Sequence, residues 1–507
     1  MTPFTGSRIR KSLLHFTLGK ALAGLIGVAI LISLVRYMPA ADYGIYVTWV
    51  AVMEITLLVS SAGVFAIAQR YITEARLPKN LRWLARLAWW SVVYRLATAA
   101  LVAGVLALLS DTILGRLGQP QIPDIFRLYL AALVLEGVAR YIELLFDGLL
   151  EQGRTQLSVL LRNGLRLMLL LTLWQSQGQL ELIDVVYADL GAALAGALIS
   201  TTLLLQCLRS IGPDLSEKVE ANGFQFRRIA RFTLPLYLAQ CVTQVYSPEA
   251  VKMVVSAMLG VLQAAAFGFA HAISSMLQRY LPAQLLIGLI RPVLVARRSD
   301  GAGDEELAAY ANLILKLNHF LLIPAIAFFA IRGDEFVFVV AKGKHLDAGP
   351  LLFWLSGLLL LQGLHLVLSV VATAVEDSRA ILIGTLAATP GIIVGLLLIA
   401  YVGALGMVAG LWLSELLWCC ATVWSLRATG FLFRIDWEGW GRLGLCAGFA
   451  ILVTHLLARG QSDFFSLLLT ALVLGTAYLA AAFIVKPFSA QERAMINRLL
   501  PRPFFAF

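Results

Sequence analysis

The amino-acid sequence predicts an all-α, polytopic membrane protein of about 14 transmembrane helices. Of the 507 residues, 60% are hydrophobic and 14% are charged, and the mean hydropathy is +0.83. Soluble domains carry about a quarter of charged residues, and a bilayer core about 30 Å thick needs about 20 apolar residues per crossing helix. Apolar runs of that length recur along almost the whole chain. We therefore expect no separate soluble domain.

These apolar runs define the predicted spans in chain order. The first follows a basic start and resembles a signal peptide, but its apolar run exceeds about 15 residues and ends at Arg36 and Tyr37 without a small-residue cleavage site. We therefore keep it as a span. The predicted spans are residues 14–36, 44–68, 86–109, 127–150, 157–174, 183–207, 230–255, 259–287, 310–331, 349–375, 379–401, 404–426, 441–458 and 463–485.

Lysine and arginine are concentrated at both termini and in the even-numbered connections between these spans. The positive-inside rule then predicts a multi-pass protein with both termini in the cytoplasm. The net charge of +10 reflects this topology, and we expect no nucleic-acid partner. The longest predicted outward connection, 332–348, leaves little room for an external active site.

The predicted spans form two bundles. We expect an N-terminal bundle over residues 1–210, a cytoplasmic amphipathic linker over 211–230 and a C-terminal bundle over 231–426. Residues 427–507 hold the last two spans and a cytoplasmic tail. Within the long inward connection, residues 224–232 can lie at the membrane surface as a basic amphipathic helix.

No motif in the chain predicts catalysis or metal binding. The five cysteines lie in or beside apolar runs without C-x-x-C spacing. The glycine-rich stretches favour close helix packing, because no phosphate-loop or dinucleotide-binding pattern accompanies them. We expect no catalytic residue, no metal, no cofactor and no enzyme activity.

The fourth predicted span carries a polar stripe of Glu136, Arg140, Glu143 and Asp147. At 100° per residue the four positions fall within about 60° of one another. A charge at mid-bilayer costs at least about 2.5 to 3.5 kcal/mol, so retained charges usually face the bundle interior or a water-filled path. One interpretation is a self-neutralising seam in which Arg140 pairs with Glu136 and Glu143. The other is a cavity lining, with Arg140 binding substrate anions and the carboxylates setting the field or binding a coupling proton or sodium ion.

Further charges in the predicted spans are candidates for the same two roles, binding substrate anions and setting the field or binding a coupling ion. Lys20, Lys252 and Arg279 join Arg140 as candidate substrate-binding residues, and Glu54 joins the candidate coupling or field-setting carboxylates. For Lys20 snorkelling to the membrane surface is the alternative, for Lys252 an interfacial position, and for Arg279 a pair with a neighbouring carboxylate.

Four other polar residues have simpler expected roles, and Glu415 is a further intramembrane charge. Arg95 and Lys316 lie nearer the predicted cytoplasmic ends of their spans, and we expect them to snorkel. For His319 and His365 we expect ordinary polar packing, because no second metal ligand lies at suitable spacing.

Two segments suggest a duplicated bundle and a family. Pro39–Tyr46, after the first span, is weakly echoed by Gly260–Phe267, after the seventh, and duplicated bundles are common among secondary transporters. Met38-Pro-Ala-Ala-Asp-Tyr-Gly-Ile-Tyr46 also matches the pattern L-G-P-x-x-Y-G-x-Y. With the order of segments 297–331, 333–364 and 372–415, it makes the chain similar to the polysaccharide transporters of the multidrug/oligosaccharidyl-lipid/polysaccharide (MOP) exporter superfamily. Pro39 departs from the usual Gly, and Val251 stands before Lys252 where members often have an acid.

This resemblance implies two pseudo-repeated bundles around a central cavity, as in multidrug and toxic compound extrusion (MATE) exporters. It implies a flippase that moves lipid-linked (undecaprenyl-diphosphate) oligosaccharide across the bacterial cytoplasmic (inner) membrane for O-antigen or exopolysaccharide synthesis. The implied partners are that oligosaccharide and membrane lipids, and association with a polymerase or export machinery is a further possibility. The alternatives are a MATE-type multidrug/ion antiporter and a membrane scaffold for a polysaccharide synthase that transports nothing itself.

Overall fold

The computed structural model describes residues 6–72, 81–119, 122–149, 151–211, 233–285 without 235, 236 and 239, 303–375, 377–433, 435–457, 463–499 and 506–507. Within these ranges all regular elements are helical and no strand is found. The chain divides into two compact units, Met1–Ala265 and Ala266–Phe507. Most of the predicted linker and the predicted helix 224–232 lie outside the described residues, and the predicted domain boundaries stay predictions.

Unit 1 contains the helices of the first six predicted spans, the end of the seventh and the start of the eighth. They are α1 (Gly6–Tyr37), α2 (Ala40–Val59), α3 (Leu81–Leu108), α4 (Pro123–Gly148), α5 (Gln152–Gln177), α6 (Leu182–Ile211), α7 (Pro248–Leu259) and the first residues of α8 (Val261–Arg279).

Local chemistry explains where several of these helices begin and end. Pro123 and Pro248 occupy the first turns of α4 and α7, where the missing N–H of proline costs nothing. The side chain of Ser247 accepts a hydrogen bond from the backbone N–H of Ala250 and caps α7. Gly178 ends α5 with φ +79°, a conformation that favours glycine.

The second predicted span is shorter as a regular helix than its apolar run. α2 ends at Val59, and Ala62 and Gly63 have φ of 42° and 85°. A short helix, Val64–Ala66, and a π-helical turn, Ile67–Tyr71, follow. The left-handed residues break the hydrogen-bond ladder, so a continuous helix over 44–68 is wrong.

α4 lies among its neighbours in unit 1, packed on α3, α5 and α6. One face buries Tyr141, Ile142, Leu145 and Phe146 in an apolar cluster with residues of α3 and the π-helical turn. The polar stripe from Glu136 to Asp147 lies on another face. An apolar face and a polar face on one helix are what the sequence periodicity predicts.

Unit 2 contains the remainder of α8 and the later helices. They are α9 (Asp304–Ala341), α10 (Ala348–Ala374), α11 (Ser378–Val402), α12 (Ala404–Ala428), α13 (Trp437–Leu457), α14 (Phe464–Val485) and a tail helix, α15 (Ala490–Leu499). α9 is longer than predicted and kinks at Arg332, where φ is −129° and ψ is 21°. Most of the predicted outward connection 332–348 is therefore helical, and that predicted boundary is wrong.

Eleven of the described helices are long and apolar enough to cross a membrane. The other predicted spans correspond to α4, which carries the charged stripe, to α7, described as a helix from Pro248, and to α8, which carries a polar face with His271 and Ser275. Each predicted span thus contains a described helix. The structure is that of a multi-pass, all-α membrane protein, as predicted.

Candidate functional site

Unit 1 contains a charged cavity of about 120 Å³ among four helices. A cavity with both acidic and basic walls inside apolar helices is costly to maintain, because each buried charge loses hydration. α2 contributes Tyr46, Val50, Met53 and Glu54; α4 contributes Tyr129, Ala132, Glu136 and Arg140; α5 contributes Arg162, Asn163 and Arg166; and α6 contributes Asp189, Ala192 and Ala193.

Arg140 connects two carboxylates of the cavity wall. Its Nη1 donates to Glu54 Oε1 and its Nε donates to Glu136 Oε1, both at 2.7 Å. Glu136 lies one helical turn before Arg140 on α4, whereas Glu54 belongs to α2. The Arg140 side chain keeps 40% of its surface exposed, so a ligand in the cavity can reach its guanidinium.

Arg162 extends this chain of charges into the protein interior. Its Nη1 lies 3.1 Å from Glu136 Oε2, and its Nη2 lies 3.2 Å from Glu143 Oε2. The side chains of Arg162 and Glu143 are each only 8% exposed. Ser158 Oγ donates to the other oxygen of Glu143 at 2.9 Å. Arg162 therefore holds two carboxylates of α4 against α5.

A second cluster lies on α5, α6 and α2. Arg166 Nε lies 2.6 Å from Asp189 Oδ1, and Tyr46 Oη donates to Asp189 Oδ2 at 3.0 Å. Arg166 Nη2 also donates to Tyr46 Oη. Tyr46 is the last aromatic residue of the Met38–Tyr46 pattern, so that pattern brings a polar atom to the cavity wall.

The cavity and the groups behind it carry more negative than positive charge. Arg140, Arg162 and Arg166 face the carboxylates of Glu54, Glu136, Glu143 and Asp189, a formal excess of one negative charge (four against three). Arginine stays protonated at any physiological pH. A ligand anion therefore has to compete with a carboxylate for Arg140, and a ligand cation finds surplus carboxylate.

The stripe on α4 combines features of both interpretations made from the sequence. Glu136 and Arg140 line the cavity, Glu143 is buried behind it, and Asp147, near the end of α4, accepts from Thr155 Oγ1 at 3.0 Å. The predicted pair of Arg140 with Glu136 is present. The predicted pair of Arg140 with Glu143 is wrong, because Arg162 is the partner of Glu143 and Arg140 turns to Glu54.

The other predicted substrate-binding residues lie elsewhere. Lys20 is partly buried on α1 and Arg279 is exposed at the end of α8. Lys252 is buried on α7, with Nζ 2.7 Å from Glu249 Oε2. The described lining of the unit 1 cavity includes none of the three, and their roles in substrate binding stay predictions.

Arg95 and Lys316 do not snorkel, and that prediction is wrong. Arg95 is 1% exposed on α3, and its Nη1 donates to Ser60 Oγ at 2.9 Å. Lys316 is also 1% exposed on α9, and its Nζ lies 2.8 Å from Glu492 Oε2 and contacts Asp436. Both cations are stabilised by partners from other parts of the chain, buried Ser60 for Arg95 and the partly exposed carboxylates of Asp436 and Glu492 for Lys316.

Two histidines of unit 2, His319 and His365, differ in their partners. His319 Nε2 lies 3.1 Å from the carbonyl oxygen of Leu360, which is the polar packing predicted for it. His365 Nδ1 instead lies 2.8 Å from Glu415 Oε2. Among the described residues, no group of three or more His, Cys, Asp or Glu could hold a metal ion.

Sequence analysis missed Arg162, Arg166 and Asp189 as cavity residues. Arg162 and Arg166 both lie within the fifth predicted span, 157–174, and both belong to α5, which extends from Gln152 to Gln177. Arg162 and Arg166 are four residues apart, which places them on one helix face. That spacing was the available signal, and Asp189 was an acid inside the sixth predicted span.

Comparison with solved structures identifies the fold. The chain superposes on "Lipid II flippase MurJ, inward closed conformation" with a TM-score of 0.71 and 12% identity, covering 95% of this chain and 99% of that one. An inward-facing MATE family transporter of the MOP superfamily gives 0.65 and 15%, with coverage of 81% and 94%. A MATE in the bent conformation gives 0.56 and 16%, with coverage of 84% and 95%. The fold is therefore that of the MurJ and MATE exporters.

Sequence comparison identifies the family. A search of curated proteins gave no significant match. A family model described as "Polysaccharide biosynthesis protein" matches residues 9–285, more than half of the chain and including the Met38–Tyr46 pattern and all the helices that line the cavity. The chain belongs to this polysaccharide biosynthesis protein family, as its resemblance to the polysaccharide transporters predicted.

Proposed function

We propose that the protein is a flippase, not an enzyme, that moves a lipid-linked oligosaccharide across the bacterial cytoplasmic membrane by alternating access. Family membership and the MurJ-like fold support transport of a polysaccharide precursor. The observation that carries the proposal is Arg140, whose side chain is 40% exposed in the wall of a cavity of a membrane protein. Undecaprenyl diphosphate is the cargo class we propose, with both termini of the chain in the cytoplasm. The expected partners remain that cargo, membrane lipids and any polymerase or export machinery.

The cavity chemistry suits a diphosphate flanked by sugars. Guanidinium groups bind phosphate oxygens in a bidentate manner and remain charged. The neighbouring carboxylates and Tyr46 can accept from or donate to sugar hydroxyls. Carboxylates and guanidiniums together therefore recognise a cargo that is anionic at one end and rich in hydroxyl groups at the other.

We propose that the diphosphate binds by exchange with Glu54. In the structure Arg140 is held by Glu54 and Glu136. A phosphate oxygen that approaches the exposed side of Arg140 can replace the α2 carboxylate, while Glu136 on the same helix keeps the guanidinium in place. Release of the cargo restores the pair with Glu54. Glu54 thus limits how tightly the anion binds, as a transporter requires if it is to release its cargo.

The surplus carboxylate also favours a second candidate, a MATE-type exporter of organic cations. In that case Glu54, Glu136 or Asp147 would hold the cargo, and Arg140 would only neutralise them. Neutralising Glu54 would then abolish transport, whereas the exchange mechanism predicts tighter anion binding. The same variant therefore separates the two functions.

The test is leaflet exchange of a labelled lipid-linked oligosaccharide in vesicles containing the purified protein. We expect Arg140→Gln to lower the exchange rate at least about tenfold, equivalent to about 1.4 kcal/mol of lost stabilisation. We expect Glu54→Gln to make inorganic pyrophosphate a stronger inhibitor. Arg127→Gln is the matched control, because Arg127 forms an exposed pair with Asp124 at 3.0 Å outside the cavity.

Three outcomes would contradict the proposal. Wild-type exchange by a folded Arg140→Gln protein would favour a structural seam or a scaffold that transports nothing. Transport of an organic cation that Glu54→Gln abolishes and Arg140→Gln spares would favour the antiporter. Unchanged inhibition by pyrophosphate in Glu54→Gln would exclude the exchange of Glu54 for phosphate.

A further inference from the structure

A histidine and a glutamate form a pair in the interior of unit 2. His365 belongs to α10 and Glu415 to α12, and Nδ1 of the imidazole lies 2.8 Å from Oε2 of the carboxylate. Glu415 lies near the centre of Ala404–Ala428. At about 1.5 Å per residue it is some 16 to 20 Å from either end of the helix. The pair therefore lies deep in a membrane-spanning segment, where ionisable residues are rare and mark ion or proton paths.

The pair has a defined geometry and remains accessible. The imidazole of His365 stacks on the indole of Trp418, with ring centroids 3.5 Å apart and planes inclined by only 6°. An imidazolium over an indole is stabilised as a cation–π contact. The His365 and Glu415 side chains retain 34% and 21% of their exposed surface.

Three titratable side chains on the helices packed against α10, His319, Lys316 and Cys419, have other partners. On α9, His319 faces the Leu360 carbonyl and Lys316 pairs with Asp436 and Glu492. On α12, the thiol of Cys419 donates to the Leu361 carbonyl at 3.8 Å. Glu415 is therefore the carboxylate that faces His365.

Two further helices contact α10. On α8, His271 lies 3.3 Å from Ser275, and Gln278 donates to Gln362, one turn before His365, at 2.9 Å. Arg279 is exposed at the end of that helix. On α11, Asp377 caps the helix start and Arg379 is exposed beside it. The neighbouring polar side chains include amides and a hydroxyl, which stay uncharged as the pH changes.

The chemistry of this pair differs from that of the unit 1 cavity. There Glu54, Glu136 and Glu143 each accept from an arginine, which keeps its proton. Histidine changes its charge between about pH 5 and 8 in its ordinary state. An ionised Glu415 accepts from the Nδ1–H of His365, and Nε2 then takes up a proton from a hydronium ion of the surrounding solution, leaving water, to form the imidazolium. The added charge is neutralised at once by the carboxylate.

We propose that His365 and Glu415 form the proton-binding site of this protein, through which a proton gradient drives its transport. The proposal rests on the transport function proposed above and assigns its energy source. Protonation converts a neutral imidazole beside a carboxylate into an ion pair between α10 and α12. The attraction between the two helices is then stronger in the protonated state, so proton binding favours whichever conformation keeps them together.

The first experiment measures proton binding without any cargo. A charged imidazolium in contact with an indole quenches its fluorescence, so tryptophan emission of the purified protein reports the state of His365. As the pH is lowered we expect a quenching step in the wild type that is lost in His365→Gln and in Trp418→Phe. His455→Gln, which changes an exposed histidine on α13, should keep the step. Survival of the full step in His365→Gln would overturn the proposal.

The second experiment measures coupling as the ratio of leaflet exchange with and without a pH gradient. We expect a several-fold acceleration by the gradient in the wild type and in His455→Gln. In Glu415→Gln and His365→Gln the ratio should fall to one. An unchanged ratio in both variants would overturn the coupling role. A wild type that moves no lipid-linked oligosaccharide would contradict the proposed function, whereas a quench that depends on His365 would still support the proton site.

Discussion

Arg140 and Glu54 join α4 to α2 by an ion pair of 2.7 Å between residues 86 positions apart in the chain. The pair holds the two helices together, and because it faces a cavity on one side, a ligand can also reach it. Arg140 retains a second carboxylate, Glu136, when Glu54 is displaced. A fully buried pair would not permit such exchange, because an uncompensated buried charge costs about 3 to 5 kcal/mol.

Replacement of Arg162 should destabilise the protein strongly. Arg162→Met leaves Glu136 and Glu143 without their shared partner in the interior of unit 1. We expect a loss of about 3 to 5 kcal/mol in the free energy of unfolding, measured by denaturation of the purified protein in detergent. The second change Glu143→Gln in the same chain should restore part of this loss.

An exposed arginine supplies the control for that experiment. Arg127→Met breaks a pair with Asp124 in which the side chains are 45% and 91% exposed, and we expect a loss of only about 0.2 to 1 kcal/mol. Equal losses for Arg127→Met and Arg162→Met would show that the charge chain behind the cavity has no special structural role.

Replacement of Gly44 should separate two helix segments of unit 1. A Cβ added at Gly44 would lie 1.9 Å from the carbonyl oxygen of Val261, so Gly44→Ala forces the backbones apart. We expect a loss of about 1 to 3 kcal/mol in the free energy of unfolding. Gly104→Ala is the matched control, because a Cβ there meets nothing within 4 Å. It should be neutral or slightly stabilising, and a similar loss in both variants would contradict the close approach.

Lowering the pH should destabilise the protein through protonation of His345. This residue lies in the connection between α9 and α10, where burial lowers its pKa to about 4, aided by the charge of Lys344. The unfolded chain, whose histidines titrate near pH 6.5, then binds protons more readily than the folded protein. Stability from this group is complete above about pH 6.5 and is lost as the pH falls towards 4.

Thermal unfolding in detergent at a series of pH values measures this effect. His345→Gln should show a smaller fall in melting temperature than the wild type over that range. His455→Gln, at an exposed site on α13, should follow the wild type. A wild-type slope in His345→Gln would show that other groups cause the acid sensitivity.

The tail helix α15 should detach when Lys316 is replaced. The buried Nζ of Lys316 contacts Glu492 at 2.8 Å and also Asp436. Burial raises the pKa of Asp436. The hydrogen bond from Lys316, together with the backbone N–H of Gly439 and the charges of Lys316 and Arg442, outweighs this effect, so the net shift of the pKa is downward. We expect Lys316→Met to speed trypsin cleavage after Arg493 several-fold. Glu438→Gln, which alters an exposed pair with Arg442, should leave the cleavage rate unchanged, and protection of Arg493 in Lys316→Met would contradict the docking role.

Residue patterns predicted the fold class and one wall of the cavity. The apolar runs identified the helices because span length depends on bilayer thickness and because backbone hydrogen bonds inside lipid must be satisfied within the helix. The polar stripe on α4 followed from helical periodicity alone. The kink at Arg332 and the break after Val59 depend on local backbone angles, which an apolar run does not reveal.

The partners of each charge were beyond the reach of the sequence. Several acids in neighbouring predicted spans could pair with each arginine of the cavity. Only the packing of the helices selects Glu54 for Arg140, Glu143 for Arg162 and Asp189 for Arg166. The same holds for His365, which was predicted to be ordinary polar packing and lies against Glu415, 50 residues away.

By itself the sequence determined that this chain is a membrane-embedded helical protein with charges retained at depth, because hydrophobicity and helical periodicity are local properties. Tertiary structure alone decided which of those charges meet, which face a cavity and which are buried. Pairing energies between charges depend on distances of a few ångströms across helices, and these distances are set by how the helices pack.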